Sequence, residues 1–335
     1  MRKQQIRYVD LFAGIGGFRS AITQLSDVID SECVFTSEID KFARLTYEYW
    51  YLSDLDAVER ERVFKGDITV VDAKDIDPHD LLMGGFPCQP FSRAGKRKGF
   101  ADTRGTLFFD IERVLEAHTP KYVLLENVKG LRNHDGGLTL RVIRDRLEKL
   151  GYEVACTVLN ARDFGVPQNR ERLFIVGIQP GVGVSPFEFP EGDGNGRDSV
   201  NLREKLETRM SPTRLREFQI SERLWAGHQR RREEHKRKGN GFGYSLFDRG
   251  APYVNTISAR YYKDGSEVLI AVKSQLPRKI TPREGLNLQG FPPEIQFPPS
   301  VSNAQAYKQI GNAVAVPVVR HVLRNMFIAG GDLAR

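Results

Sequence analysis

Short apolar runs alternate with longer amphipathic stretches through the first half of the chain. IRYVDLFA, CVFTSEID, DLLMGGF, KYVLLENV, YEVACTVLN and RLFIVGI are bounded by turn-forming residues, which predicts strands. Between them, Phe18 to Leu25, Phe42 to Leu52, TLFFDIERVLEA and LTLRVIRDRLEKLG carry apolar residues at helical spacing. Strands and helices taking turns in this way predict a doubly wound α/β sheet. The rhythm stops at GVGVSPFEFPEGDGNGRD, from Gly181 to Asp198, a Gly- and Pro-rich stretch that reads as the exit from a first domain. Up to about Pro277 the pattern is irregular, with one short strand-like SEVLIA, and predicts a smaller second domain. The Pro-punctuated RKITPREGLNLQGFPPEIQFPPS then leads into AQAYKQIGNAVAVPVVRHVLRNMF, whose last part is helical.

Composition narrows the function classes. The 335 residues are 40% hydrophobic and 28% charged, with 50 Lys and Arg against 43 Asp and Glu and a net charge of +7. That is ample for a buried core, and no apolar run approaches the roughly 18 residues that span a bilayer. The opening MRKQQIRYVDLF has no apolar leader segment, which predicts a cytoplasmic protein. Cys33, Cys88 and Cys156 are too few for a disulfide framework and too scattered for a zinc site, so no metal is expected and one thiol is free for chemistry. Positive charge concentrates in RRREEHKRK, Arg230 to Lys238, a candidate for phosphate contact.

Candidate chemistry gathers at predicted strand ends. DLFAGIGGF, Asp10 to Phe18, runs from a strand through glycines into a helix, the arrangement in which a ligand approaches backbone amides. A dinucleotide fingerprint beginning at Gly14 needs glycine where Arg19 stands, so an adenosyl cofactor without a pyrophosphate fits better. Glu38 closes the next strand at the distance expected of a ribose-binding carboxylate, and Asp67 lies in a turn where it can accept from an adenine amino group. In GGFPCQPFS, Cys88 sits between Pro87 and Pro90 after a strand, a constrained position suited to a nucleophile. Glu126 ends KYVLLENV, where partial desolvation suits a carboxyl group to proton donation. In QNRER, alternation along a strand puts Arg170 and Arg172 on one face, ready for an anion or a base carbonyl.

Taken in order, DLFAGIGGF, SEIDK, GDIT, GGFPCQPFS, KGFADTRGTLFFDI, ENV, QNRER, RKITPRE and QAYKQIGNAVAVPV resemble the motif set of the bacterial DNA (cytosine-5) methyltransferases of restriction–modification systems. The resemblance covers most of the chain outside about residues 181–276. It implies a Rossmann-like mixed sheet binding S-adenosylmethionine, formed by residues 1–197 and 304–335, and a smaller, mainly β target-recognition domain with its hinge at 198–303. It further implies that Cys88 adds to carbon-6 of a cytosine flipped out of duplex DNA, that Glu126 binds and protonates ring nitrogen 3, and that Arg172 holds the cytosine carbonyl and, with Arg170, favours the thiolate. Carried over in the same way, Phe12, Gly14, Gly16, Glu38, Ile39, Asp67, Ile68, Pro87, Leu107 and Asn312 line the cofactor site. Gln89, then Ser92, Arg93, Lys96 and Arg97 on the Gly- and Lys-rich loop from Ser92 to Gly105, and Thr256, Arg260 and Lys263 in the recognition domain, contact DNA. Two departures from the family pattern stand out: Ile39 where an aromatic residue is common, and Gly285 to Asn287 in place of Cys-Ala-Arg.

The segments GNGFGYSLF and VNTISARYYKDGSEVLIA are similar to those of enzymes whose sites begin CC and end GG, so the expected target is CCGG or CCNGG. One subunit reaches a flipped base from one side of the duplex, which predicts a monomer, and a cognate restriction endonuclease is the expected partner. A tRNA cytosine-5 methyltransferase shares nearly all these motifs and is the first alternative. A DNA-binding protein without turnover is the second, and a nicotinamide dehydrogenase, opposed by Arg19, is the third.

Overall fold

A computed structural model describes residues 3–87, 107–181, 183–192, 201–241 and 243–333. Contacts divide the chain into two compact units, the first made of Met1–Leu159, Glu171–Glu191 and Val318–Arg335, the second of Asn160–Arg170 and Gly192–Pro317. Compared with a division at 198 and 304, the second unit also takes in 160–170, 192–197 and 304–317.

The first unit is built on seven strands of the expected rhythm, which form one sheet. β1 (Gln4–Leu11), β2 (Ile29–Ser37), β3 (Phe64–Lys65), β4 (Leu81–Gly85), β5 (Tyr122–Val128), β6 (Glu153–Asn160) and β8 (Glu171–Ile178) pair in the order β3-β2-β1-β4-β5-β8-β6, while β7 (Gln168–Asn169) belongs to the second unit. β1, β2, β3, β4 and β5 run parallel, and β8 is antiparallel to β5, so the sheet is mixed. Order reverses beside β1, and ligands of such sheets bind beyond the carboxyl ends of the strands at this switch point. Helices α1 (Gly17–Thr23), α2 (Lys41–Tyr51), α3 (Ala57–Val63), α4 (Phe108–His118) and α5 (Leu138–Lys149) supply the crossovers. Val9, Leu11, Leu82, Val123, Leu125 and Ile175 of the sheet pack with Ile111, Val114, Ile143 and Leu147 of α4 and α5. β4 and most of β5 are buried along their length, which is why they read as unbroken apolar runs.

In the second unit, helices α6 (Leu202–Lys205), α7 (Pro212–Phe218), α8 (Glu222–Arg237), α9 (Pro282–Gln289) and α10 (Asn303–Asn312) accompany two small sheets. β7 pairs with β10 (Val254–Asn255), and β9 (Leu246–Phe247), β11 (Leu269–Ile270) and β12 (Arg278–Lys279) form the other. The last helix, α11 (Val316–Ala329), begins at the end of this unit and returns to the first. Its exit is tied down by Asp332, which accepts from the Tyr122 hydroxyl at 2.6 Å and pairs with Lys121 at 2.7 Å.

The Gly285 departure has a steric explanation. A Cβ there would lie 2.6 Å from Ile310 Cδ1, so the approach of α9 to α10 uses the missing side chain. Buried Arg278 braces the same helix by donating to both carboxylate oxygens of Glu284, at 2.7 and 2.8 Å. Among the described residues no helix is long and apolar enough to cross a membrane.

Candidate active site

The turn after β1 is shaped by backbone conformations that glycine adopts at little cost. Gly14 and Gly16 have φ of 57° and 79°, and a Cβ on Gly16 would fall 2.3 Å from the Tyr51 ring. Tyr51 also donates its hydroxyl to the Gly16 carbonyl at 3.2 Å. Arg19, the residue that breaks the dinucleotide fingerprint, is held by these aromatics: it donates to the Tyr47 hydroxyl and the Tyr51 carbonyl, both at 3.2 Å, and lies 4.8 Å from the Tyr51 ring centroid. Its charge thus braces the turn from behind.

Glu38 follows β2 directly and reaches back to this turn. One carboxylate oxygen accepts from the Gly14 amide and the other from the Asp40 amide, each at 2.7 Å. Burial pushes its carboxyl up, and these two amides pull it back. Every carboxylate oxygen has a further lone pair, so Glu38 keeps acceptor capacity for a diol. Asp67 accepts from the Thr69 amide and hydroxyl at 2.9 and 2.8 Å. Ile68 is buried in the core, Phe12 and Leu107 are half-buried and Pro87 is exposed. Ile39 is 73% and Val70 81% exposed, each next to a carboxylate-bearing turn. Large apolar side chains left open beside hydrogen-bonding carboxylates fit an adenosyl group, whose base would cover apolar surface while its ribose meets Glu38. Asn312, the last residue of α10, is exposed in the second unit.

Asp10 is a residue that sequence reasoning used only to mark the motif. It is wholly buried on β1, and burial pushes its carboxyl up to about 8; Arg19 opposes the shift and Glu38 adds to it. A carboxyl raised in the folded state stabilises that state fully below its ordinary value of 3.8, and the contribution is lost as pH rises through about 8. Asp10→Asn, neutral at every pH, is expected to flatten the fall of thermal midpoint between about pH 5 and 8. Parallel melting curves of parent and variant across that window would refute the shift.

The second cluster lies at the ends of β4, β5 and β8. Glu126 pairs with Gly85 on one side and with Phe174 on the other, and Val128 lies opposite Arg172. Glu126 and Arg172 are therefore diagonal neighbours on one face of an antiparallel ladder, within reach of long side chains. Arg172 Nε sits 3.1 Å from Glu126 Oε1, with side chains 16% and 10% exposed. Burial lowers the Arg172 pKa and Glu126 raises it again. A Cβ on Gly85 would lie 3.5 Å from Glu126 Oε2, in ordinary van der Waals contact with this carboxylate. Asn127, on the opposite face, donates its amide to the Phe86 carbonyl at 2.8 Å and ties the end of β5 to the segment entering Pro87. The place of Glu126 at the end of an apolar strand was legible in the sequence, but its pairing with Arg172 was not.

Arg170 is a correction. The alternation expected through QNRER is broken because Arg170 falls between β7 and β8, in neither strand. Its guanidinium is buried in the second unit, donating to the carbonyls of Ile257 at 3.1 Å, Gly311 at 3.0 Å and Ala313 at 2.7 Å. A guanidinium enclosed by backbone acceptors in this way braces the fold and does not present a charge to a substrate. Thr256 likewise turns inward, its hydroxyl donating to the Asn169 carbonyl at 2.6 Å, while Arg260 and Lys263 are exposed on a turn. Cys88, Gln89, Ser92, Arg93, Lys96 and Arg97 lie outside the described residues.

Comparison with known proteins decides the family. The sequence matches the profile of C-5 cytosine-specific DNA methylase over residues 6–328. The chain belongs to that family. It is 51% identical to the type II methyltransferase M.NlaX of Neisseria lactamica over 96% of both chains, and 41% identical to M.HpaII of Haemophilus parainfluenzae over 99% of this chain and 92% of that one. Among solved structures, Spodoptera frugiperda DNMT2 superposes with a TM-score of 0.75 at 20% identity, covering 96% of this chain and 99% of the other, a likeness of fold. This methyltransferase is thus a DNA (cytosine-5) methyltransferase that uses S-adenosylmethionine, with a Rossmann-like unit and a smaller recognition unit.

Proposed function

We propose that this methyltransferase is the modification enzyme of a type II restriction–modification pair, acting as a monomer in the cytoplasm on duplex DNA at CCGG or CCNGG. The observation that carries its chemistry is the Glu126–Arg172 pair, a carboxyl group and a cation held 3.1 Å apart at adjoining strand ends. Strong identity to relatives named type II methyltransferases supports the biological role.

In this reading the first unit holds the reacting groups. Cys88, as thiolate, forms a bond to carbon-6 of the flipped cytosine, while Glu126 gives a proton to ring nitrogen 3 and so prevents negative charge from building on the ring. Arg172 orients Glu126 and holds the base carbonyl. Carbon-5 becomes nucleophilic; when bound, S-adenosylmethionine supplies an electrophilic methyl group. Loss of the carbon-5 proton to a base, return of the ring nitrogen 3 proton to Glu126 and departure of the Cys88 sulfur as thiolate then restore the aromatic ring, and no metal takes part. Glu38 meets the ribose, Asp67 and Ile39 the adenine, and Phe12, Gly14, Gly16, Ile68, Pro87 and Leu107 complete that site. Gln89, Ser92, Arg93, Lys96 and Arg97 hold the DNA backbone near the base, and the second unit reads the target through Arg260 and Lys263, with Thr256 positioning the segment that carries them.

Base-resolution mapping of 5-methylcytosine in plasmid from a host without such activity tests the reading. One modified position within CCGG or CCNGG, and resistance of that plasmid to an endonuclease cutting there, is the expected result. A different motif overturns the target, and unmodified DNA from folded protein that binds S-adenosylmethionine moves the substrate to RNA.

A further inference from the structure

Helix α8 carries two different halves. Its start is anchored: the Ser221 hydroxyl accepts from the Leu224 amide, Trp225 packs on Tyr244 with centroids 4.7 Å apart, and His228 is buried against the Asp264 carbonyl. Arg231 extends this anchor to Asp264 at 3.1 Å, and Arg232 lies 4.8 Å from the centroid of the Tyr244 ring. From Gln229 to Lys238, QRRREEHKRK, the helix has no apolar side chain to bury, and every residue but His235 is exposed.

A helix polar on all sides needs ion pairs or an external partner to offset its charge. Here internal pairing is sparse. Among the described residues the one ion pair within this half is Arg237 with Glu233, at 3.8 Å. Cations in the last turn also complement the helix dipole, which accounts for Lys236 and Arg237 but not for Arg230, two turns earlier. Arg230 to Lys238 spans about 12 Å of helix axis. Over that length a duplex presents on the order of seven phosphate charges.

We propose that this half of α8 lies along the sugar–phosphate backbone of the DNA substrate, contributing affinity and salt dependence but no base reading. The inference rests on DNA being the substrate, and on neither the target sequence nor the role of Cys88. Arg231 and Arg232 hold the helix to its own unit, while Arg230, Lys236 and Lys238 are exposed cations that, among the described residues, no ion pair of this half engages.

The test is a variant carrying Arg230→Gln, Lys236→Gln and Lys238→Gln. Glutamine keeps the helix propensity and leaves the anchoring residues untouched. Binding to a 30-base-pair duplex of random sequence is measured across about 50 to 300 mM salt. The slope of log Kd against log salt is expected to shrink by about 2 to 3, because each lost phosphate contact removes about 0.9. With plasmid DNA the KM rises about tenfold or more while kcat and the modified position stay as in the parent. An unchanged slope in a variant with parental circular dichroism overturns the proposal, as does an altered target or a fall in kcat at constant KM. Should the triple variant lose its helix, Arg230→Gln alone is expected to lower the slope by about 1, with Arg230→Lys restoring it. Complete absence of methylation in the parent leaves the binding slopes measurable and so separates failure of the catalytic reading from failure of this one.

Discussion

Cys88→Ala is expected to abolish methyl transfer, lowering turnover by at least about 10⁴-fold, while S-adenosylmethionine still binds. The split follows from where the groups sit. Glu38 and Asp67 follow β2 and β3, whereas Cys88 follows β4, so removing the thiol leaves the carboxylates and their amide partners as they are. Without sulfur added at carbon-6, carbon-5 of cytosine stays part of an aromatic ring and is too weak a nucleophile to be methylated. Transfer of a labelled methyl group to plasmid DNA measures the loss, and calorimetric titration checks cofactor binding. A duplex carrying 5-fluorocytosine at the target adds a direct readout: fluorine cannot leave as a proton does, so the parent stalls as a denaturant-resistant adduct and the variant forms none. Methylation by the variant at the parental rate refutes covalent catalysis.

Arg170→Ala is expected to lose stability, and Arg172→Lys to lose activity. Alanine at 170 leaves the Ile257, Gly311 and Ala313 carbonyls without their charged donor and opens a hole at a position 2% exposed. Charge-assisted hydrogen bonds of this kind and the desolvated groups they leave behind amount to on the order of 3 to 5 kcal/mol. The thermal midpoint should fall by on the order of 10 °C. Lysine at 172 keeps a cation beside Glu126, so the midpoint moves little, but a compact ammonium cannot hold carboxylate and base together as a planar guanidinium does. A fall in kcat of about 10² or more at nearly parental stability is expected. Melting curves and steady-state rates on the same preparations check both halves. An Arg170→Ala protein that melts with the parent would return Arg170 to the substrate face.

These two arginines also show where sequence reasoning reached its limit. Period-2 alternation gave both the same direction, and it holds for Arg172, inside β8. For Arg170 it fails because two strands that are contiguous in sequence belong to different units, and a one-residue break between them is invisible to periodicity. Glu126 was legible because it closes a fully apolar central strand, and the glycine turn because Gly14 and Gly16 take backbone conformations that other residues resist. The inward bond of Thr256 to the Asn169 carbonyl was not legible, since it joins segments 87 residues apart in sequence. The limits of the second unit escaped for the same reason: what places 160–170 there is long-range pairing, such as β7 with β10. Asn127 stood within the quoted ENV motif, yet its role depends on a carbonyl 41 residues upstream.

The interleaved path of the chain constrains how the protein can be born. The first unit is interrupted twice, and its last segment begins at Val318, beyond the whole of the second unit. Tyr122, on a central strand, waits for Asp332, 210 residues downstream. A ribosome will therefore have emitted the second unit before the first can close, and the sheet must persist as an open intermediate with its β5 neighbourhood unfinished. Contacts of such separation slow folding and prolong the exposure of apolar strands. The second unit, itself made of 160–170 and 192–317, does not come away as one contiguous insert, and the catalytic unit cannot be obtained by trimming either end.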